Sequence, residues 1–148
     1  MSNLMSNYYP LEVTFVKGSG CWLTDTSGDE YLDALSGIGV VNLGHSHPAI
    51  TKSIVNQSKK LLHTSNVYRI ANQEKLATRL CHLANMDKAF FSNSGAEANE
   101  AAIKIARLYA RSKNIHNPIV LTAIKGLHGR TMATLSATGQ SKVQEGFA

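Results

Sequence analysis

One stretch, residues 89–111, limits the fold of this chain more than any other. Residues 89–91 are a short apolar run, and residues 93–95 are turn and cap residues. Residues 96–111 are strong helix formers with small and apolar side chains at helical spacing. The pattern predicts a buried strand, a tight turn and then a helix.

The start of that helix is a candidate anion-binding site. The first backbone N–H groups of a helix have no partner within the helix and lie at the positive end of its dipole. Small side chains at Ser94, Gly95 and Ala96 would let a phosphate come close. Most strand–turn–helix junctions of this composition are only helix caps, so both interpretations stand at this point.

Composition excludes several classes of protein. The chain has 148 residues, and 43% of them are hydrophobic, which predicts a folded core. Its net charge is +5, yet the basic residues are scattered and are not interleaved with aromatic ones. The charge pattern therefore argues against nucleic-acid binding and suits small anionic ligands.

The cysteines show no disulfide or metal-binding pattern, and the N-terminus shows no targeting sequence. Cys21 and Cys81 are far apart and form no CxxC motif, so neither a disulfide framework nor a zinc site is predicted. Residues 1–7 lack the basic and apolar regions of a signal peptide, and no apolar run is long enough to cross a membrane. We therefore expect a cytoplasmic protein without membrane contacts.

The N-terminal part predicts a small antiparallel meander. Tyr8 lies in an extended lead-in before Pro10. Alternating, β-branched segments at residues 12–17, 21–25 and 30–34 are separated by glycine-containing turns.

A glycine-rich loop at residues 36–48 follows the meander and does not match GxGxxG. His45 and His47 in this loop have no carboxylate or cysteine beside them in the sequence, so we interpret them as turn residues and predict no metal site. Pro48 then begins a helix that extends to about His63.

The second half predicts a parallel βαβ unit. A helix capped by Asn72 is followed by a strand at 89–92, the helix at 96–112 and a strand at 119–124. Because ligands bind at the carboxyl ends of parallel strands, the turn at 93–95 and the loop at 125–130 should converge. A short helix is predicted at 131–137, and no element is predicted from Gln140 onward.

We therefore expect an α/β protein in two parts. Residues 1–48 form the meander and the glycine-rich loop, and residues 49–148 form helices and the first βαβ unit of an incomplete domain. A single βαβ unit leaves both faces and both edges of its sheet uncovered, which indicates the first part of a larger domain.

Three motifs, in this order and spacing, resemble the N-terminal part of class III aminotransferases, which are pyridoxal-phosphate enzymes of fold type I. The motifs are Gly44-His45-Ser46-His47-Pro48, Asn93-Ser94-Gly95-Ala96-Glu97-Ala98-Asn99-Glu100 and His128-Gly129-Arg130-Thr131. The resemblance extends from Tyr8 to Phe147 and is closest to the acetylornithine branch of the family. It implies the large domain of fold type I, an amino donor and a 2-oxo acid as substrates, and a homodimer in the full-length form.

The resemblance also assigns roles to particular residues. Ser94, Gly95 and Ala96 match the turn that binds the cofactor phosphate, in agreement with the helix-start argument. Arg130 matches the arginine that binds the substrate α-carboxylate, for which a planar guanidinium is suited. Tyr8 matches a substrate-contacting tyrosine, although a packing role is the alternative.

The cofactor-ring contact departs from the family pattern. The family has an aromatic residue just before His128, stacked on the pyridine ring, whereas this chain has Leu127. Leucine can pack on the ring but loses a stacking contribution of about 1 kcal/mol. His128 is then an alternative contact for the ring.

The resemblance places the Schiff-base lysine and the aspartate that pairs with the pyridine nitrogen beyond residue 148, so no catalytic residue is assigned here. The expected function is the N-terminal part of an enzyme that transfers an amino group from N-acetylornithine to 2-oxoglutarate, in arginine biosynthesis. The alternatives are an ornithine, 4-aminobutyrate or succinylornithine aminotransferase, a non-catalytic truncated product, and a phosphate-binding α/β module.

Overall fold

The computed structural model describes residues 3–147. They group into two compact units, Met1–Tyr68 and Arg69–Ala148, each described by itself below. None of the described helices is long and apolar enough to cross a membrane.

The first unit contains the predicted meander. Strands β1 (Phe15–Ser19), β2 (Trp22–Asp25) and β3 (Glu30–Leu32) pair antiparallel in the order β1-β2-β3. The turn before β3 is held by the Asp25 carboxylate, which accepts hydrogen bonds from the N–H groups of Ser27 and Asp29. The meander confirms the prediction from the alternating pattern.

The glycine-rich loop begins with a left-handed turn, α1 (Ser36–Gly39), and is followed by helix α2 (Pro48–Ser58). Gly37 and Ile38 have φ angles of 59° and 58°, outside the right-handed helical region. For a β-branched residue such as Ile38 this conformation is unusual. Helix α2 ends at Ser58, earlier than the expected His63, because Lys60 and Leu61 form a closing turn on the Gln57 carbonyl.

The second unit is built from helices. They are α3 (Ala71–Ala84), α4 (Gly95–Ser112), α5 (Met132–Ala137) and α6 (Ser141–Gln144), and α5 packs against both α4 and α6. The N-cap of α3 is Ile70 rather than Asn72, which lies inside the first turn.

The predicted strands at 89–92 and 119–124 do not form within the described residues, whose sheet contains only β1, β2 and β3. A strand needs a neighbour to complete its hydrogen-bond ladder, and a buried parallel strand also needs covered faces. Here Ile119 and Leu121 are 85% and 90% exposed. Uncovered apolar side chains on this segment show that the partners it would need are missing from the described unit.

Residues after Gln140 also differ from expectation, because the short helix α6 forms there. Its Gln144 side-chain amide donates to the backbone carbonyls of Leu135 and Thr138, at 3.2 and 2.9 Å. These contacts dock α6 on α5. They are tertiary contacts, which local sequence patterns do not reveal.

Candidate functional site

Helix α4 begins as the sequence predicts. Ser94 is its N-cap, with extended backbone angles, and its Oγ accepts a hydrogen bond from the Glu97 N–H at 3.2 Å. The Ser94 carbonyl accepts from the Ala98 N–H. Because the first N–H groups of a helix have no partner within it, those of Gly95 and Ala96 remain available to a ligand.

The side-chain position of Gly95 is open. A Cβ placed on Gly95 would meet no atom within 4 Å among the described residues. An anion could therefore approach the helix start without displacing a side chain. The observed geometry fits a phosphate group at this turn.

Glu97 is a member of this turn that the sequence analysis did not single out. Its carboxylate accepts hydrogen bonds from the Asn93 N–H at 2.8 Å and from the Ser94 hydroxyl at 3.2 Å. The S-x-x-E spacing of Ser94 and Glu97 is the sequence signature of a capping box and could have identified it. Glu97 therefore holds the turn at Asn93 and Ser94 in place.

The loop that carries Arg130 lies against the first turns of α4. The Asn99 side-chain amide donates to the His128 carbonyl at 2.7 Å. At Gly129, where φ is 140°, an added Cβ would come within 2.8 Å of the Ala96 Cβ. The structure therefore brings together the turn at 93–95 and the loop at 125–130, as predicted, although the two strands expected to do so are not formed.

Two of the predicted site residues in this loop are exposed. The Leu127 side chain is 61% exposed, and Arg130 is exposed as well. An exposed leucine is free to pack on an aromatic ring. The contact roles of Leu127 and Arg130 remain predictions.

His128 has a feature that suits a ligand site. Its Nε2 atom is buried and has no hydrogen-bond partner among the described residues. Buried polar atoms are rarely left unpaired, so this nitrogen marks a place where a polar partner is missing. The helix start, with Ser94, Gly95 and Ala96, therefore fits a phosphate group, and His128 Nε2 is a second polar atom of the same loop that lacks a partner among the described residues.

His45, in the first unit, has a carboxylate partner that the sequence does not reveal. Its Nε2 atom lies 2.7 Å from Asp33 Oδ2, although the two residues are twelve positions apart. The hydrogen bond to His45, together with that from the Ser36 N–H, lowers the pKa of Asp33. No group of three or more His, Cys, Asp or Glu side chains able to hold a metal ion was found among residues 3–147.

Tyr8 lies in the lead-in before β1, in the first unit, whereas the other predicted site residues lie in the second. Its proposed substrate contact remains a prediction.

Comparison with known proteins identifies the family. The aminotransferase class-III sequence profile matches residues 4–148. An acetylornithine aminotransferase from Nitrosomonas europaea is 56% identical over 147 residues, which are 99% of this chain and 37% of that protein. Another from Prochlorococcus marinus is 52% identical over 145 residues, 97% of this chain and 35% of its own length.

A solved structure supports the fold. The ornithine aminotransferase from Toxoplasma gondii, a structure with partial occupancy of pyridoxal phosphate at its active site, matches with a TM-score of 0.89 and 28% identity. The match covers 99% of this chain and 35% of that one. The predicted fold class is thereby confirmed, and the chain spans about a third of the length of the relatives it matches. Because the class-III profile matches residues 4–148, this chain belongs to the class III aminotransferases.

Proposed function

We propose that the chain is the N-terminal part of an aminotransferase that transfers the amino group of N-acetylornithine to 2-oxoglutarate, in the cytoplasm and within arginine biosynthesis. The observation that carries the choice of donor is the 56% identity to the Nitrosomonas europaea acetylornithine aminotransferase over 147 residues. The ornithine aminotransferase of Toxoplasma gondii is only 28% identical.

The cofactor of this reaction would be pyridoxal phosphate, held at the start of α4. The N–H groups of Gly95 and Ala96, with the Ser94 hydroxyl, would bind its phosphate. Leu127 would pack on its ring, and the buried, unpaired His128 Nε2 would gain a polar partner. When bound, the cofactor supplies an electron sink for the carbon that carries the transferred amino group, which is the δ-carbon of N-acetylornithine.

The substrate would be oriented by its carboxylate. Arg130 follows Gly129 on the loop that lies against α4, so its guanidinium would bind an α-carboxylate near the cofactor. Tyr8 would add a second substrate contact. The α-carboxylate of N-acetylornithine and the distal carboxylate of 2-oxoglutarate lie at similar bond separations from the carbons that react, so one arginine can serve both halves of the reaction.

The remaining assignments also concern the longer protein. Residues 1–48 would contribute to a homodimer interface through the loop at 36–48, and residues 49–148 would begin the cofactor-binding domain. The Schiff-base lysine would lie outside the third of the family length that this chain spans. These 148 residues alone would then be unable to transaminate.

A chimera tests the proposal. The 147 matched residues of this chain would replace the aligned segment of the Nitrosomonas europaea enzyme, which supplies the remaining length. We expect borohydride-trappable cofactor and a higher kcat/KM for N-acetylornithine than for ornithine, 4-aminobutyrate or succinylornithine, with the unaltered enzyme as control. A preference for another donor would favour that branch, and a folded chimera without cofactor would favour a non-catalytic product.

A further inference from the structure

Two neighbouring side chains of α4 hold the loop that carries Arg130. The Asn99 amide donates to the carbonyl of His128 at 2.7 Å, and the Glu100 carboxylate accepts from the Thr131 hydroxyl at 2.5 Å. These two contacts fall on either side of Gly129 and Arg130. Asn99 and Glu100, which we call the α4 clamp, are both half-buried.

The same loop is held from its other side by two threonines. The His128 N–H donates to Thr138 Oγ1 and the Thr131 N–H donates to Thr134 Oγ1, both at 3.1 Å. Thr134 and Thr138 are fully buried. The loop is therefore fixed between α4 and α5 by hydrogen bonds to its backbone on both sides.

The loop also approaches the first turn of α4 as closely as its backbone allows. An added Cβ at Gly129 would lie 2.8 Å from the Ala96 Cβ and 2.5 Å from Thr134 Oγ1. Ala96 supplies one of the two N–H groups available for a phosphate. The turn at Ser94–Ala96 and the Arg130 loop are therefore joined by the close approach of Gly129 to Ala96 and by the hydrogen bonds of the α4 clamp.

We propose that Asn99 and Glu100 are positioning residues that set the separation between the Ser94–Ala96 turn and Arg130. This inference rests on the proposed function, in which the turn holds the cofactor and Arg130 holds the substrate. Neither clamp residue touches substrate. Asn99 acts through the His128 carbonyl and Glu100 through the Thr131 hydroxyl, so that a substrate held by its carboxylate at Arg130 presents its reacting carbon to the cofactor at a constant distance.

The test uses the chimera described above, loaded with pyridoxal phosphate. Asn99→Leu removes the amide donor at similar side-chain volume. Thr131→Val removes the hydroxyl that Glu100 accepts from and leaves α4 untouched, but it also removes the 2.7 Å contact of that hydroxyl with Thr134 Oγ1 at the start of α5. Glu100→Gln keeps an acceptor oxygen for Thr131 and should behave as the unaltered chimera. Glu74→Ala, an exposed first-turn carboxylate of α3, is the matched control.

Two readouts are compared. Hydrogen–deuterium exchange of peptides spanning residues 127–135 should be faster in Asn99→Leu and Thr131→Val and unchanged in the other two variants. The KM values for N-acetylornithine and for 2-oxoglutarate should rise together, with a loss in kcat/KM of roughly 10- to 100-fold. Should Asn99→Leu fail to fold, Asn99→Asp, which also lacks the amide donor to the His128 carbonyl, decides.

Unchanged exchange in residues 127–135 would overturn the clamp, whatever happens to activity. Faster exchange with unaltered KM values would overturn its positioning role. An unsubstituted chimera that transaminates no donor would contradict the proposed function instead, and the exchange measurement would still decide whether Asn99 and Thr131 hold the loop.

Discussion

Gly129 is the residue on which the geometry of the Arg130 loop most depends. Its φ of 140° lies in a region that residues with a Cβ rarely adopt, and an added methyl group would clash with Thr134 Oγ1 and Ala96. Gly28 offers a matched comparison, since its φ is 93° and nothing lies within 4 Å of an added Cβ among the described residues.

In the chimera we expect Gly129→Ala to lower the melting temperature more than Gly28→Ala does. Both changes add backbone strain of roughly 1–3 kcal/mol, but only the first also forces the loop away from α4. Differential scanning fluorimetry measures the melting temperatures of the two variants. Equal losses would contradict the tight contact between Gly129 and Ala96.

Arg130 permits a test that separates substrate binding from cofactor binding. We expect Arg130→Ala to raise the KM for the amino donor strongly, because a bidentate hydrogen-bonded charge pair is lost. The affinity for pyridoxal phosphate, measured by absorbance titration, should change far less. A similar loss of both would contradict the α-carboxylate role.

Some residues of the site can be predicted from the sequence, and others cannot. Ser94 was identified as a cap, and the structure confirms it, because capping depends on neighbours within one helical turn. Asn99, Glu100 and Asp33 were missed as partners because their hydrogen bonds join residues from 12 to 31 positions apart. No local spacing encodes such a pair.

At the scale of elements, two buried or half-buried carboxylates organise the meander and the loop that follows it. Burial opposes ionisation of Asp25, but hydrogen bonds from the Asp29 and Ser27 N–H groups and the Tyr31 hydroxyl lower its pKa overall. The negative charge of Asp25 in turn raises the pKa of Tyr31. Asp33 accepts from the Leu35 and Ser36 N–H groups as well as from His45, and its pKa is also lowered.

The lowered pKa values of Asp25 and Asp33 determine how the stability of the folded state changes with pH. Because the folded-state pKa values of Asp25 and Asp33 lie below 3.8, both carboxylates contribute stability that is complete above that pH. The contribution is lost as the pH falls through the lowered values. The turn before β3 and the start of the 36–48 loop should therefore loosen only in strong acid.

Carboxyl ¹³C titration of the folded chimera, with Asp25→Asn and Asp33→Asn variants to assign the two resonances, tests this. We expect midpoints below 3.8 for Asp25 and Asp33, and Tyr31→Phe should shift the Asp25 midpoint upward because one hydrogen bond is removed. Midpoints at 3.8 for both residues would show that the turn contacts do not persist in solution.

Prediction of elements succeeded where local patterns are sufficient. The meander and helix α4 follow from alternation, glycine turns and helix propensity within the segments themselves. The strands at 89–92 and 119–124 were predicted from their apolar composition, but a strand exists only when other segments pair with it and cover it. Composition indicates what a segment can form, and its neighbours decide whether it does.

For the whole molecule, the exposed area is the most informative quantity. Large apolar side chains are exposed in both units, among them Leu62 at 83%, Leu121 at 90% and Ile124 at 89%. Only Ala110 and Leu135 are buried apolar residues among those described. Apolar surface of this extent is normally covered by another part of the same protein or by a partner.

The exposed area predicts how the chain behaves alone. We expect the 148-residue chain to bind a hydrophobic dye strongly and to unfold without a cooperative transition, because so little apolar surface is removed from water. The chimera should bind the dye weakly and unfold cooperatively. Dye fluorescence and circular dichroism during heating compare the two, and a sharp transition of the isolated chain would contradict the prediction.

The position of the cofactor phosphate in a crystal structure of the chimera tests the account most directly. We predict that the phosphate accepts hydrogen bonds from the N–H groups of Gly95 and Ala96, with the Arg130 loop still bonded to Asn99. A phosphate bound elsewhere, or a loop separated from α4, would contradict the claim that the start of α4 and the Arg130 loop together form the site.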